Sequence, residues 1–382
     1  MLKPCAILLG VALLLRPLAA EACGGGTVSP IGNEVGADAQ RIFISVNGAT
    51  TEVVTQIIVP ESSADYGVLI PVPVEPTLDT QPISAADLNQ LDKATAPRIQ
   101  VVSYDAEDGG GCLCIPTTGG GGEDLEPLAS IQLSEPVDIG PVTALVLTGD
   151  TVSAVDGWLQ EQGFAISGSN RLILAAYSGS GQYFIAIRRN QAVKGGPSSI
   201  GIHFTLPGDQ RGLPLRFASI GAASSVAFTV IVATRGAAGP TPPFATLTIA
   251  DLDEDLLRDD QYGAAVDRAI GAHPEGAFVL ETIFSKYMLQ DDYFGLPNFQ
   301  GRLDHSPFLQ WIAESATLTR LTTRMPATAL TQDVAFTVPY RGSPSNTLEI
   351  PAAPAHPRPA HAGALCAVVL AAALRRLYRR RA

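Results

Sequence analysis

Cys23, Cys112 and Cys114 are the residues in the body of this chain best suited to chemistry. Export, which the first residues indicate below, favours disulfides over free thiols. A bond between Cys112 and Cys114 closes a very small, strained ring. The expected bridge therefore runs from Cys23 to one of that pair, stapling a glycine-rich loop to the N-terminus. Closing a loop of this length is worth about 3–5 kcal/mol when unstrained. The Cys-x-Cys spacing also admits thiol–disulfide exchange or a soft metal such as Cu(I), although no His or Met lies near in sequence to complete such a site. Cys23 stands in addition where a lipid-bearing cysteine would stand, with Ala20 in place of the usual larger aliphatic. No cofactor or metal is expected.

Other catalytic patterns fall short. Asp251-Leu252-Asp253-Glu254-Asp255 opens like a calcium loop, but Leu256 holds the sixth position, where Gly is needed, and Tyr262 the twelfth, where Glu is needed. Acidic residues opening a helix account for the run instead. No Gly-x-Ser-x-Gly elbow occurs, and Ser178-Gly179-Ser180-Gly181 reads as a turn. The body holds only His203, His273 and His305, with no His-Glu-x-x-His, phosphate loop or dinucleotide fingerprint. A single strand histidine such as His203 is usually structural. No catalytic residue is assigned.

The elements that must position these groups form around residues 65–76, where an apolar run, Gly67 to Val72, meets Pro71, Pro73 and Pro76. That is the pattern of a buried strand whose ladder is then cut, since Pro donates no N–H. Arg41 to Val46 and Thr51 to Val59 predict a hairpin across Asn47-Gly48. Ser84 is placed to cap a helix carrying Asp87, Leu88 and Leu91, which Ala96-Pro97 ends. Strands follow at 98–104, 129–133, 142–147, 182–188, 200–206, 213–219 and 226–234. A helix capped by Thr148-Gly149-Asp150 should carry Trp158 and stop at Gly163, and a short helix is expected near 170–177. Gly236 to Pro243 is the best internal boundary. Beyond it come strands at 244–249, 317–324 and 334–338 and a helix within 253–270.

The ends differ from the body. Lys3, the apolar Ala6 to Leu15 and Ala20-Glu21-Ala22 make a signal peptide. Pro351 to His361 is an extended linker, and Ala362 to Leu374 is an apolar run holding Cys366. Thirteen residues span only about 20 Å as a helix, against a hydrocarbon core of roughly 30 Å. Arg375, Arg376, Arg379, Arg380 and Arg381 follow, can snorkel, and should stay cytoplasmic. The chain of 382 residues carries a net charge of -12; without its terminal basic residues and Glu21 the body has 18 basic and 36 acidic residues, or -18. Such a body should be repelled by nucleic acid. The expected partner is the membrane, through the C-terminal tail, with a further envelope or surface partner unspecified.

Several motifs together resemble a family. They are Cys23-Gly24-Gly25, Pro71-Val72-Pro73, Leu91-Asp92-Lys93-Ala94-Thr95-Ala96-Pro97-Arg98, Cys112-Leu113-Cys114, and Thr319-Arg320-Leu321 with Leu330-Thr331-Gln332-Asp333. In this order they are similar to an exported bacterial family catalogued as domain of unknown function 2330. The tail resembles the sorting tails of exported myxobacterial and related proteins, which are processed near the Cys. The resemblance implies location and architecture and brings no activity.

The expected fold is α+β, β-rich with short helices, in two packed subdomains. The expected division is 1–22 signal peptide, 23–235 and 244–345 subdomains, 346–361 linker and 362–382 tail. The function expected is an exported, envelope-tethered structural or binding module. The alternatives are a periplasmic or surface hydrolase, and a redox or metal module at Cys112 and Cys114.

Overall fold

The computed structural model describes residues 25–30, 37–58, 66–102, 131–149, 151–178, 182–189, 201–285, 288, 303, 306–313, 315–338, 340–341 and 346–351. From the N-terminus run β1 (Gly26–Pro30), β2 (Ala37–Val46), β3 (Thr50–Ile58), β4 (Gly67–Val72), β5 (Thr77–Leu78), α1 (Ala85–Thr95) and β6 (Arg98–Val102). Next come β7 (Ile131–Leu133), β8 (Val137–Ile139), β9 (Val142–Gly149), α2 (Val152–Glu161), β10 (Phe164–Ala165), α3 (Gly168–Tyr177) and β11 (Tyr183–Arg189). β12 (Ile202–Pro207), β13 (Gly212–Leu213), β14 (Ala222–Thr234), β15 (Gly239–Pro240), β16 (Ala245–Thr248), α4 (Glu254–Arg258) and α5 (Tyr262–Gly271) follow. The chain continues through β17 (Ala277–Ser285), α6 (Phe308–Ala313), β18 (Thr317–Pro326), β19 (Val334–Thr337) and β20 (Thr347–Pro351).

The fold is β-rich α+β, built on two stacked sheets. One has the order β10-β1-β4-β11-β9-β7, with β8 also on β9; the other runs β16-β17-β18-β14-β2-β3-β12-β5. The period-two alternation of side chains decides what each face meets. In β2, Ile42 and Ile44 enter the core between the sheets while Phe43 points the other way. Val53 and Val54 of β3 divide likewise, as do Val230 and Ile231 of β14. In β4, Val68, Ile70 and Val72 face the second sheet and Leu69 faces outward. The outward face of the first sheet is covered by α2 and α3 through Trp158, Leu159, Leu174 and Tyr177. The outward face of the second is covered by α1 and α6 through Leu88, Leu91, Phe308 and Ile312. The result is four layers, helix, sheet, sheet, helix, and β4 is apolar throughout because both of its faces are buried.

Local chemistry explains the element ends. Pro71 is tolerated inside β4 because the β1 ladder stops at Leu69, which leaves Pro71 paired with β11 alone. Asn47 and Gly48 turn the β2–β3 hairpin, with Gly48 at φ +95 and the Asn47 side chain accepting from the Thr50 N–H at 3.1 Å. Ser84 caps α1, its hydroxyl accepting from the Asp87 N–H at 3.1 Å. Arg98 to Val102 pairs in parallel with β20.

Three expectations need correction. Thr151, not Thr148 or Asp150, caps α2, because Thr148 and Gly149 still belong to β9. Residues 213–219 are not a strand: β13 ends at Leu213, Pro214 can donate no further ladder bond, and Phe217–Ser219 make a 3-10 turn. The single helix expected within 253–270 is two, α4 and α5, broken where Asp260 takes φ +56.

The stretch from Gly236 to Pro243 contributes β15, which pairs with β19. The eight-stranded sheet takes β2, β3, β5, β12 and β14 from before it and β16, β17 and β18 from after it. Among the described residues no helix is long and apolar enough to cross a membrane. The leader and the C-terminal tail lie outside the described residues.

Candidate functional site

Three places bring chemistry-bearing side chains together. The first is His203. On β12, Ile202, Phe204 and Leu206 enter the inter-sheet core, so His203 projects to the other face, under α6. Its Nδ1 lies 3.0 Å from Asp79 Oδ2 and its Nε2 3.0 Å from Glu52 Oε2. Thr205, opposite Glu52 in the ladder, donates to the same Oε2 at 2.8 Å. The imidazole stacks on Trp311, ring centroids 4.3 Å apart and planes tilted by 32°. Ser45 donates to the Trp311 carbonyl at 2.8 Å, and Phe43 meets Phe308 edge-on at 4.9 Å, so α6 is pinned over the cluster.

Both ring nitrogens of His203 thus face a carboxylate oxygen, and neither points into open space. Burial works to raise the Asp79 carboxyl, but the hydrogen bond from His203 and the Gln81 backbone amide hold it below the ordinary value. The cluster ties β3, β12 and Asp79 together beneath α6, whose Trp311 stacks on the imidazole.

The second place is a buried ion network. Arg320 of β18 donates to Glu281 through Nε, and through Nη1 to Asp92 Oδ1 at 2.5 Å and Thr95 Oγ1 at 3.0 Å. Tyr262 donates its hydroxyl to the other oxygen of Glu281. Glu281 is only 1% exposed. It sits at a β-bulge: Leu280 faces Leu321 and Thr282 faces Arg320, so Glu281 is the extra residue. A bulge re-aims a side chain, and here it aims a carboxylate at the guanidinium. Burial and the Glu281 charge push the Tyr262 phenol up. Burial works against the Arg320 cation, but the charges of Glu281 and Asp92 outweigh it and raise its affinity for the proton. Arg320, Glu281 and Tyr262 each find a partner within this network, which is what a buried charge requires.

The third place is an apolar hollow of about 160 Å³ on the outer face of the first sheet, against α2. Leu69, Leu145 and Ala186 form its floor, and Trp158, Leu159 and Phe164 its walls. Its mouth carries Thr143, Gln162 and Arg188, all half-buried.

The residues singled out from sequence are distributed unevenly. Cys23, Cys112, Cys114, Cys366, Arg375, Arg376, Arg379, Arg380, Arg381 and His305 lie outside the described residues. His273 is half-buried, 3.4 Å from Glu275. Asp253 caps α4, accepting from the Asp255 and Leu256 amides, and Asp251 closes a capping box with Thr248. Among the described residues no group of three or more His, Cys, Asp or Glu side chains is placed to hold a metal. Glu52, Asp79 and Glu281 were missed. The available signal was a carboxylate inside a largely apolar strand, as at Glu281 in Ala277–Ser285, which burial forces to find a cation.

A family model described as an uncharacterized protein conserved in bacteria (DUF2330) matches residues 17–251. The chain belongs to this family. No curated protein and no solved structure matches it. The DUF2330 match takes in the apolar hollow and the Glu52–His203–Asp79 cluster. Trp311, Glu281, Tyr262 and Arg320 lie beyond it, so in this DUF2330 chain the residues after 251 complete both polar clusters. Two of the motifs quoted from sequence meet there: Asp92 and Thr95 come from one, Arg320 from the other.

Proposed function

We propose that this DUF2330 protein is an exported, envelope-tethered binding module. The supporting observation is the contrast between its polar and apolar sites. The polar clusters are spent on themselves: both nitrogens of His203 face carboxylates, and Arg320 and Glu281 satisfy one another. A hydrolase needs a base or nucleophile with an atom to spare. The hollow, by contrast, is apolar on floor and walls and carries a few polar groups at its mouth, as small-ligand sites do. Export and tethering rest on the sequence of the two ends, Lys3 to Ala22 and Ala362 to Arg381.

Fractionation of the native cells tests this reading. The protein should partition with the envelope, resist a high-salt wash and come off in detergent. Recovery of the whole population from the cytoplasm would contradict it.

A further inference from the structure

We infer that the hollow against α2 binds a neutral, single-ring aromatic molecule, its ring in the hollow and one polar substituent at Gln162. This deepens the binding reading above and rests on it. The sheet register builds the site. One row across the sheet is Val28, Gly67, Arg188 and Thr143; the next is Gly26, Leu69, Ala186 and Leu145. Side chains of both rows share the outward face, because residues two apart on a strand point the same way. Ala186 ends at a methyl between Leu69 and Leu145, so the centre of the floor is low. Gly67 lets the first row close tightly: a Cβ there would come within 2.5 Å of Val28 Cγ2 and 3.3 Å of Phe164. Trp158 and Leu159 of α2 and Phe164 of β10 raise the walls.

Size and walls set the ring. A cavity of about 150 Å³ with apolar walls takes benzene, so about 160 Å³ takes an apolar group of roughly six carbons. Two of the side chains around it, Trp158 and Phe164, are aromatic. Aromatic rings pack on one another with centroids about 4.5–7 Å apart and gain more than the area they bury. Charge excludes an ion. Among the described residues Arg188 is the one charged group lining the hollow, and it is already engaged. Its guanidinium lies over the Phe164 ring, 5.1 Å from the centroid, and the residue has a further partner. A charged ligand would enter an apolar site with no counter-charge to meet it, which costs more than burying one small ring returns. The mouth sets the substituent. The Thr143 hydroxyl donates to Asp138 at 2.6 Å. Gln162, whose backbone N–H donates to the Trp158 carbonyl at 3.0 Å, brings a half-buried side-chain amide to the mouth. An amide both donates and accepts, so it suits a hydroxyl or a carbonyl on the ring.

The test is titration of the mature protein near neutral pH with benzyl alcohol, benzoate and cyclohexylmethanol, followed by nuclear magnetic resonance. Benzyl alcohol should bind once per chain. Benzoate, a similar ring carrying a charge, should bind at least about tenfold more weakly. Cyclohexylmethanol, a ring without aromaticity, should bind at least about twofold more weakly. Ala186→Leu fills the floor and should abolish benzyl alcohol binding; Leu145→Phe fills it from the side and serves if the first variant does not fold. Gln162→Leu should weaken benzyl alcohol about two- to tenfold and leave toluene unchanged. Benzyl alcohol binding that survives both filling variants would overturn the site. Benzoate binding as tight as that of benzyl alcohol would overturn the neutral ligand, and tighter binding of cyclohexylmethanol the aromatic one. Equal weakening of toluene by Gln162→Leu would overturn the role of the amide. Mass spectrometry of solvent extracts from natively purified protein separates the two readings. A molecule of another class, carried by the wild type and lost from the filled variants, overturns the aromatic ring and keeps the binding module. No carried molecule together with no titratable binding overturns both.

Discussion

Asp92 of α1 and Arg320 of β18 meet at 2.5 Å although 228 positions separate them in sequence. The contact fixes the C-terminal turn of α1 over the eight-stranded sheet, where Thr95 also accepts from Arg320 and its carbonyl accepts from Thr282 at 2.9 Å. Removing one partner of a buried pair leaves the other charge unpaired, a loss of about 3–5 kcal/mol. Arg320→Met should therefore lower stability by about that amount in urea unfolding, and adding Glu281→Leu should restore part of it. A loss below about 1 kcal/mol would mean the network is not closed as described.

Tyr262 makes the same network sensitive to alkali. Burial first, and then the Glu281 charge, raise its phenol above the ordinary value of 10.0. A group whose folded pKa is raised gives its full stabilisation below the unfolded pKa and loses it as pH rises. Stability should therefore decline above about pH 10, and Tyr262→Phe should make that decline shallower while lowering the plateau at pH 8. Tyr66, also raised by burial, keeps some slope in the variant. Urea midpoints from pH 8 to 11 measure both effects.

Asp79 acts at the other end of the scale. Its carboxyl is held below the ordinary 3.8, against burial, by His203 and backbone amides. A depressed carboxyl stabilises fully above its unfolded pKa and ceases to do so as pH falls through the folded one. The stability difference between wild type and Asp79→Asn should thus shrink as pH falls from 6 towards 2. A difference that stayed constant would show that Asp79 titrates alike in both states.

Gly221 and Gly163 both take positive φ, +64 and +86, but only one is crowded. A Cβ on Gly221 would stand 2.2 Å from the Thr27 carbonyl oxygen, whereas nothing lies within 4 Å of one on Gly163. Gly163→Ala should cost about 1–2 kcal/mol for its left-handed backbone. Gly221→Ala should cost clearly more, since it must also push β1 away from the Ile220 carbonyl that its Thr27 N–H now reaches at 3.0 Å. Thermal unfolding of the two variants gives the comparison.

The elements legible in the sequence are those whose cause is local. The apolar run of β4, the Asn47-Gly48 hairpin and the Ser84 cap each depend on a few adjacent residues. The misread stretch at 213–219 alternates Leu213, Leu215 and Phe217 like a strand, and all three are buried. Yet Pro214 stops the ladder and burial is reached through a turn instead. The pairings of His203 with Glu52 and Asp79, 151 and 124 positions away, depend on which strands become neighbours. The hollow depends on Ala186 falling opposite Leu69 and Leu145, a matter of register that no single strand carries.

The most direct test of the account is the intact mass of the protein taken from its native envelope, before and after reduction. The predicted result is a chain beginning at Cys23, with its tail either retained or cut near Cys366, and gaining two hydrogens on reduction. A lipid-sized addition at Cys23 would move the tether to the N-terminus. A full-length mass with the leader intact and no reducible bond would contradict export and tethering together.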